Sequence, residues 1–539
     1  MRGPVLRFPS LPASGLSSRW RPLAALRRSS PVLGGYQRSR FWGKYTPLLA
    51  LLYIGVLILA ALAVVYMGPG ALMGMSIPLV ALALLIIWAL PDSKNPPLNW
   101  VNGLLFAFIV VLAIWPDYLA FDLPGLPWIT AIRVIAVPLA LAFLVSLSVS
   151  SVYRQSLSAR LAVAPITHRL VLIFIGIAFF SLLVASNPVV SINKLVVAIL
   201  YWFLPFYAAV WTFSRPNLAL RLAYFLWFAV LVTVVIGLWE WRLKMIPWAG
   251  SVPSFLAIED PVVQRILSGT ARATTGIYRV QSKFTTPLGF AEFLAFSTPF
   301  VLYFAMYAKH WVFRVAAVAT VPLILNAIFS TDSRLGFVGF VMSFLILLGL
   351  WSLRQWVRNR HSIFGPAITI AYPAILSVFL LATFFVGRLR NMVWGTGAQS
   401  YSSLAREEQV DMGLPIVFSQ PWGHGIGNAA SVLGYRNLEG TLTIDTYYLS
   451  VALEFGVIGF IIFFLIFLSA LIYGVIYLVK AEEESDLLVM PIMATLSIFL
   501  VVKSVFSQQE NHPLVFVLLG ALFGICYRIK TRQLAETSG

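Results

Sequence analysis

Cysteine is almost missing from this chain, which has one in 539 residues, and charge of either sign is scarce. The lone Cys526 excludes an internal disulfide and any cysteine metal cluster. Charged residues make up 11% of the sequence, where soluble domains carry about a quarter. With 60% hydrophobic residues and a mean hydropathy of +0.88, that excludes a water-soluble fold and leaves a polytopic membrane protein. There is no Walker-type phosphate loop, no Asp-x-Asp pair and no His/Cys set with zinc spacing. The acidic pairs Glu407/Glu408 and Glu259/Asp260 read as solvated helix faces. No metal site and no cofactor is therefore expected, and arginine is left to do the electrostatic work that a divalent ion does elsewhere. No internal repeat stands out, which counts against a transporter built from inverted halves.

Long apolar runs dominate what is present. A span needs about 20 apolar residues, which predicts an all-α fold, a polytopic transmembrane helical bundle of about 14 spans, or 12 if the weakest do not cross. They fall near residues 47–67, 71–90, 101–115, 128–150, 169–186, 194–213, 219–240, 285–307, 312–330, 335–353, 364–386, 446–478, 488–506 and 512–527. This reads as one membrane domain over residues 47–530, between a basic tail (1–46) and a short tail (531–539). The net charge is +18, and its placement gives an orientation. Residues 1–44 hold nine basic residues and no acid, and the clusters at Arg154/Arg160/Arg169, Arg215/Arg221, Lys309/Arg314, Arg354/Arg358/Arg360 and Arg528/Lys530/Arg532 fall on the same side. The positive-inside rule makes that side, with both termini, cytoplasmic. The Arg-rich, acid-free N-terminus also has the composition of an organellar transit peptide. The excess charge lies beside hydrocarbon spans, so a lipid bilayer and no nucleic acid is the expected partner.

Most connections on the other side are short, but Trp241–Phe284 and Gly387–Asp445 are long. Loops of that length in a compact protein are functional or disordered. These carry aromatic and aliphatic residues, which predicts packed, partly helical lids. Within the second, residues Ser403–Ser419 are expected to form an amphipathic helix with Leu404, Val410, Leu414 and Val417 on its apolar side. The first lid breaks the charge rule, with Arg242, Lys244, Arg265, Arg272, Arg279 and Lys283 against Glu259 and Asp260. Binding an anion is the simplest purpose of that excess.

Individual residues sharpen this. Arg279 lies just outside a span start, and Arg334 sits in the short turn STDSRLGF. Arginine presents five donors in a rigid fork suited to phosphate, and a charge at the membrane boundary is a functional candidate by default. Arg406 belongs with them, and Arg388, Arg390 and Lys194 follow by the same logic. His424 stands between Gly423 and Gly425 in PWGHGIGN, with a ring expected to reach a substrate past neighbours that lack side chains. Histidine suits acid–base work near neutral pH. Asp445 precedes a helix expected to start at Thr446, so it reads either as an N-cap or as a carboxylate base. Glu454 and Glu240 lie within or at the ends of apolar spans, where each can pair with an arginine; with Lys283 they are supporting candidates.

Four segments, RVQSKFTTPLGFAEFL (Arg279–Leu294), STDSRLGFVGF, the spaced Arg406…Pro421…Gly423–Gly427 and DTYYLSVALEFGVIGF (Asp445–Phe460), together resemble the O-antigen ligase and O-antigen polymerase superfamily of bacterial inner-membrane glycosyltransferases. The core of the resemblance covers residues 279–470. The resemblance implies a polyprenyl-diphosphate-linked oligosaccharide as substrate, with its diphosphate on Arg279 and Arg334. It implies an acceptor hydroxyl deprotonated by Asp445 or His424, and localisation in the bacterial inner membrane beside a flippase and chain-length or export proteins. Family ligases carry His-Asn where this chain has Asp445-Thr446. That departure argues for a polymerase-like exopolysaccharide branch over a ligase acting on lipid A core. A polysaccharide or lipid transporter is the alternative from another class.

Overall fold

The computed structural model describes residues 70–93, 95–122, 128–256, 258–271, 276–359, 361–385, 400–437 and 440–538, with a few isolated positions outside these ranges. The expected N-terminal tail, almost all of the first expected span and Arg388 lie outside the described residues.

The helices begin where the sequence supplies a cap or a proline. The main apolar helices are α1 (Gly70–Ala89), α2 (Leu98–Ile114), α3 (Ala131–Val149), α5 (Pro165–Phe180), α6 (Pro188–Ala198) continued by α7 (Leu204–Thr212), α8 (Pro216–Leu243), α10 (Pro287–Tyr307), α11 (Trp311–Ser330), α12 (Arg334–Arg358), α13 (Phe364–Phe385), α16 (Tyr447–Leu478), α17 (Val489–Val502) and α18 (His512–Ser538). Thr130, Ser150, Asn187, Thr286 and Ser333 each accept a first-turn amide, while Pro165, Pro188, Pro216 and Pro287 occupy first-turn positions whose N–H has no helical partner. Among the described residues, ten helices are long and apolar enough to cross a membrane. An eleventh is added if α4 (Ser151–Leu161) and α5, bent by 110°, make one span, and α2 and the end of α1 are shorter apolar helices. Each expected span from the second onward coincides with one of these helices. The last helix runs on to Ser538, so the segment expected as a C-terminal tail is helical.

Burial inside the bundle differs sharply between spans. α10 is 89% buried and forms the centre with α17 and α18, whereas α13 is 6% buried and leans on α12 from outside. α6 and α7 are joined by a π turn, Ile199–Phe203. Pro205 has no N–H to give to the Tyr201 carbonyl, and the Leu204 amide instead reaches back to Ile199.

One end of the bundle carries the long connections, and we call it the loop face. There a two-stranded ribbon, β1 (Ala120–Phe121) with β2 (Ile129–Thr130), packs against the first lid. That lid contains α9 (Pro261–Leu267) and the ribbon of β3 (Thr270–Ala271) with β4 (Tyr278–Arg279). Tyr118, Ala120, Ile258, Val263 and Ile266 form its small core. The second lid holds α14 (Ser400–Ser419) and α15 (Ala429–Leu433), packed through Val417, Ala429 and Leu433 on Leu449 and Leu453 of α16. α14 was expected, but its inward face is different. Ala405, Gln409, Gly413 and Val417 face the bundle, while Leu404 and Leu414 are exposed. A Cβ on Gly413 would lie 2.7 Å from Leu449, so this contact selects small residues over large apolar ones.

Candidate active site

The loop-face end of α8 fixes the strap that carries Arg279. Glu240, fully buried in the last turn of α8, accepts hydrogen bonds from the Tyr278 hydroxyl at 2.9 Å and from the amides of Gln281 at 3.1 Å and Ser282 at 2.5 Å. Ser282 adopts φ 54°, and its hydroxyl donates to the Thr233 carbonyl. Glu240 therefore anchors backbone and, among the described residues, is not paired with an arginine as expected. The strap then runs along the α11–α12 turn. The Val280 amide donates to the Ser330 carbonyl at 3.0 Å, and Arg279 Nε donates to the Thr331 carbonyl at 3.0 Å. Arg334 opens α12 three residues later, so the two arginines belong to adjoining segments of a single junction.

Lys283 points the other way. It is buried, with Nζ donating to the Leu112 carbonyl at 2.7 Å and lying 4.1 Å from the centre of the Phe284 ring. Burial pulls its ammonium below the ordinary lysine value, against the opposing charges of Asp117 and Glu510. Glu510 accepts the Thr285 amide, and burial pushes its carboxyl up to about 7 despite Lys283.

α14 brings Arg406 beside Asp445. Gln409 Oε1 accepts the Asp445 amide at 2.8 Å, and Arg406 and Asp445 act on each other electrostatically. Burial raises the Asp445 carboxyl above the usual carboxylate range, while Arg406 and Gln409 hold it down. Burial likewise lowers Arg406, whose Nε has no hydrogen-bond partner. Asp445 is not the N-cap. Thr446 holds that position and its side chain makes no cap bond, so helix capping does not account for Asp445.

His424 departs from the expectation of a free ring. It is 9% exposed, its Nδ1 lies 3.2 Å from the Leu453 carbonyl, and its amide donates to the same oxygen at 2.9 Å. Its neighbouring glycines serve close backbone approach. A Cβ on Gly423 would lie 2.4 Å from the Glu454 carbonyl oxygen, and one on Gly425 would lie 2.6 Å from Ala185. α16 breaks at Gly456, with φ 70° and ψ −176°, and the carbonyls of Leu453 and Glu454 take the His424 and Gly425 amides. The Glu454 carboxylate accepts from Ser450 at 3.3 Å and from the amides of Gly427 and Ala429, with Lys194 as the nearby cation. Glu454 therefore seats the second lid.

A third polar group escaped the sequence reading. Lys503 and Glu292 form a fully buried 2.6 Å ion pair. Asn511 donates to Glu292 Oε2 at 2.9 Å, and the Tyr447 amide donates to the Lys503 carbonyl at 3.2 Å. His512 is buried beside Trp202, Tyr447 and Phe499. The available signal was a single charge inside each of two apolar runs. Among the described residues no three His, Cys, Asp or Glu side chains converge as a metal site would require.

Residues 319–464 match the family model described as O-antigen ligase. The match takes in Arg334, Arg406, His424, Asp445 and Glu454, while Arg279, Lys283 and Glu240 precede it. No curated protein matches the chain.

Proposed function

We propose, from the match of residues 319–464 to the O-antigen ligase family model, that this chain is a membrane glycosyltransferase that polymerises polyprenyl-diphosphate-linked oligosaccharide repeats into exopolysaccharide, capsule or O-antigen. The loop face is the outer face of the bacterial inner membrane in this reading, and both termini are cytoplasmic. A flippase and chain-length or export proteins are its working partners.

The observation that carries the reading is the junction of Arg279 with the turn leading to Arg334. It brings the two guanidinium-bearing segments together at the end of the bundle where Asp445 also lies. The donor diphosphate binds Arg279 and Arg334, with Arg388 and Arg406 adding positive charge. The acceptor hydroxyl of a second lipid-linked repeat gives its proton to Asp445 while its oxygen attacks the anomeric carbon. The bond from that carbon to the diphosphate oxygen breaks, polyprenyl diphosphate leaves, and the displacement inverts the anomeric centre. Preorganised guanidinium groups stabilise the charge developing on the leaving group, so the reaction proceeds without a metal. Asp445 is preferred to His424 as the base because the His424 ring is engaged by the Leu453 carbonyl.

The test is to incubate purified protein with one lipid-linked repeat, without nucleotide or metal. Chain growth supports polymerisation. Transfer only to a separate acceptor makes the protein a ligase, and absence of any product in an intact preparation overturns the glycosyltransferase reading.

A further inference from the structure

A lateral groove of about 310 Å³ opens between α3 and α6, on the bundle's flank near the loop face. Its upper part is lined by Arg133 and Asn193, and below them lie Val137, Val196, Leu200 and Tyr201. From Ile129 to Val137 the helical rise carries it about 12 Å along the bundle. Val137 and Val196 are nearly half exposed in the bare protein, which in a bilayer means exposure to hydrocarbon. The floor is formed by the π turn, a local distortion often found at functional sites.

Arg133 is the informative residue. It sits in the first turn of an apolar span, where an arginine is costly and marks a functional position by default. Its Nη1 donates to the Trp128 carbonyl at 2.5 Å and its side chain also hydrogen-bonds Tyr201 in the groove, two contacts for a guanidinium that offers five donors. Asp117 lies within electrostatic reach of both Arg133 and Lys283, so the groove's cation is coupled to the charged interior of the loop face. A cation at the membrane boundary above an apolar trough is complementary to one class of molecule, an anionic headgroup carried on a hydrocarbon chain.

We infer that this groove seats the diphosphate and first isoprene units of the second, acceptor-side polyprenyl-diphosphate substrate, with Arg133 on its phosphate. The inference rests on the polymerase reading, since joining two lipid-linked repeats requires two carrier lipids. Arg279 and Arg334 lie on the strap and the α11–α12 turn, while the groove is built from α3, α6 and the π turn, so each carrier has its own helices. α6 also borders the second lid on another side, where Lys194 lies against Gly427 and acts on Glu454.

Native mass spectrometry of the full-length protein with polyprenyl diphosphate counts the bound lipids. Wild type is expected to bind two molecules, and Arg133→Gln and Val196→Trp one each, with thermal unfolding close to wild type because both side chains border the lipid-facing groove. Arg279→Ala is expected to lose the other molecule, and Arg279→Ala with Val196→Trp to lose both. Two molecules retained in both groove variants, or only one bound to wild type, overturns the inference. Equal displacement by phosphatidylglycerol also overturns it, by making the groove a general phospholipid seat. Two molecules retained in Arg279→Ala would count against the donor site alone, so the two readings fail separately.

Discussion

Glu292 on α10 and Lys503 at the end of α17 lie 2.6 Å apart with neither side chain exposed to solvent. Lys503 is further held by the Gln508 carbonyl, and its own carbonyl takes the first amide of α16, two residues beyond Asp445. The pair therefore ties the most enclosed span to the helix that presents the proposed base. Removing one partner strands the other charge, at a cost of about 3–5 kcal/mol. Glu292→Gln and Lys503→Met should each lower the unfolding temperature in detergent, while Glu292→Leu combined with Lys503→Met should recover most of the loss. Additive losses in the double variant would show that the two side chains do not act as a pair.

Arg279→Ala and Arg334→Ala should abolish product with the protein still folded. Lysine should rescue poorly at either position, because it lacks the two-pronged fork that matches a phosphate. Turnover by Arg334→Lys near the wild-type rate would mean that bulk charge suffices.

Asp445→Asn should lower kcat by about 10²–10⁴-fold, the usual share of a general base, with little change in unfolding temperature, since Asp445 does not cap α16. His424→Ala should instead act first on stability, through the lost contact with the Leu453 carbonyl. Full activity in Asp445→Asn with loss in His424→Ala would reverse the assignment.

The pH profile gives an independent check on the same carboxylate. Activity should fall on acidification as Asp445 takes up its proton, above the ordinary aspartate range because burial raises it. Arg406 stabilises the charged form, so Arg406→Gln should move this acidic limb to higher pH. An unmoved limb in kcat/KM would exclude Asp445 as the titrating group.

Glu510 carries a stability prediction. Its folded value of about 7 exceeds the unfolded value, so between the two the folded state holds a proton that the unfolded state has lost. Stability should fall as pH rises from about 5 to 7, and Glu510→Gln should flatten that slope. Thermal unfolding of both proteins across this interval reads the difference.

The spans were legible because twenty apolar residues in a row have few other uses, and the lids because long polar intervals between spans must go somewhere. The polar contacts between distant segments were not. Glu292 and Lys503 are far apart in sequence, and each alone reads as a stray charge in an apolar run. The inward face of α14 is not the one its large apolar residues mark: Ala405, Gln409 and Gly413 are buried, and close approach to Leu449 requires a glycine at 413. At His424 the flanking glycines suggest a ring with room to reach a substrate, but their space is filled by the broken backbone of α16 and by Ala185. Short range explains what succeeded. Arg406 stands on the helix that packs against α16, and Asp445 is two residues before α16 begins.

The break at Gly456 also bears on how the chain enters the bilayer. Carbonyls left open in a membrane helix cost several kcal/mol each unless the protein supplies donors. Here the donors are the amides of His424 and Gly425, synthesised before α16, and the segment that carries them rests on Ser181, Ser186 and Ser191, synthesised earlier still. The order of the chain thus matches the order of need: the seat is laid down first, the donor segment follows, and the defective helix arrives last to find its missing bonds waiting.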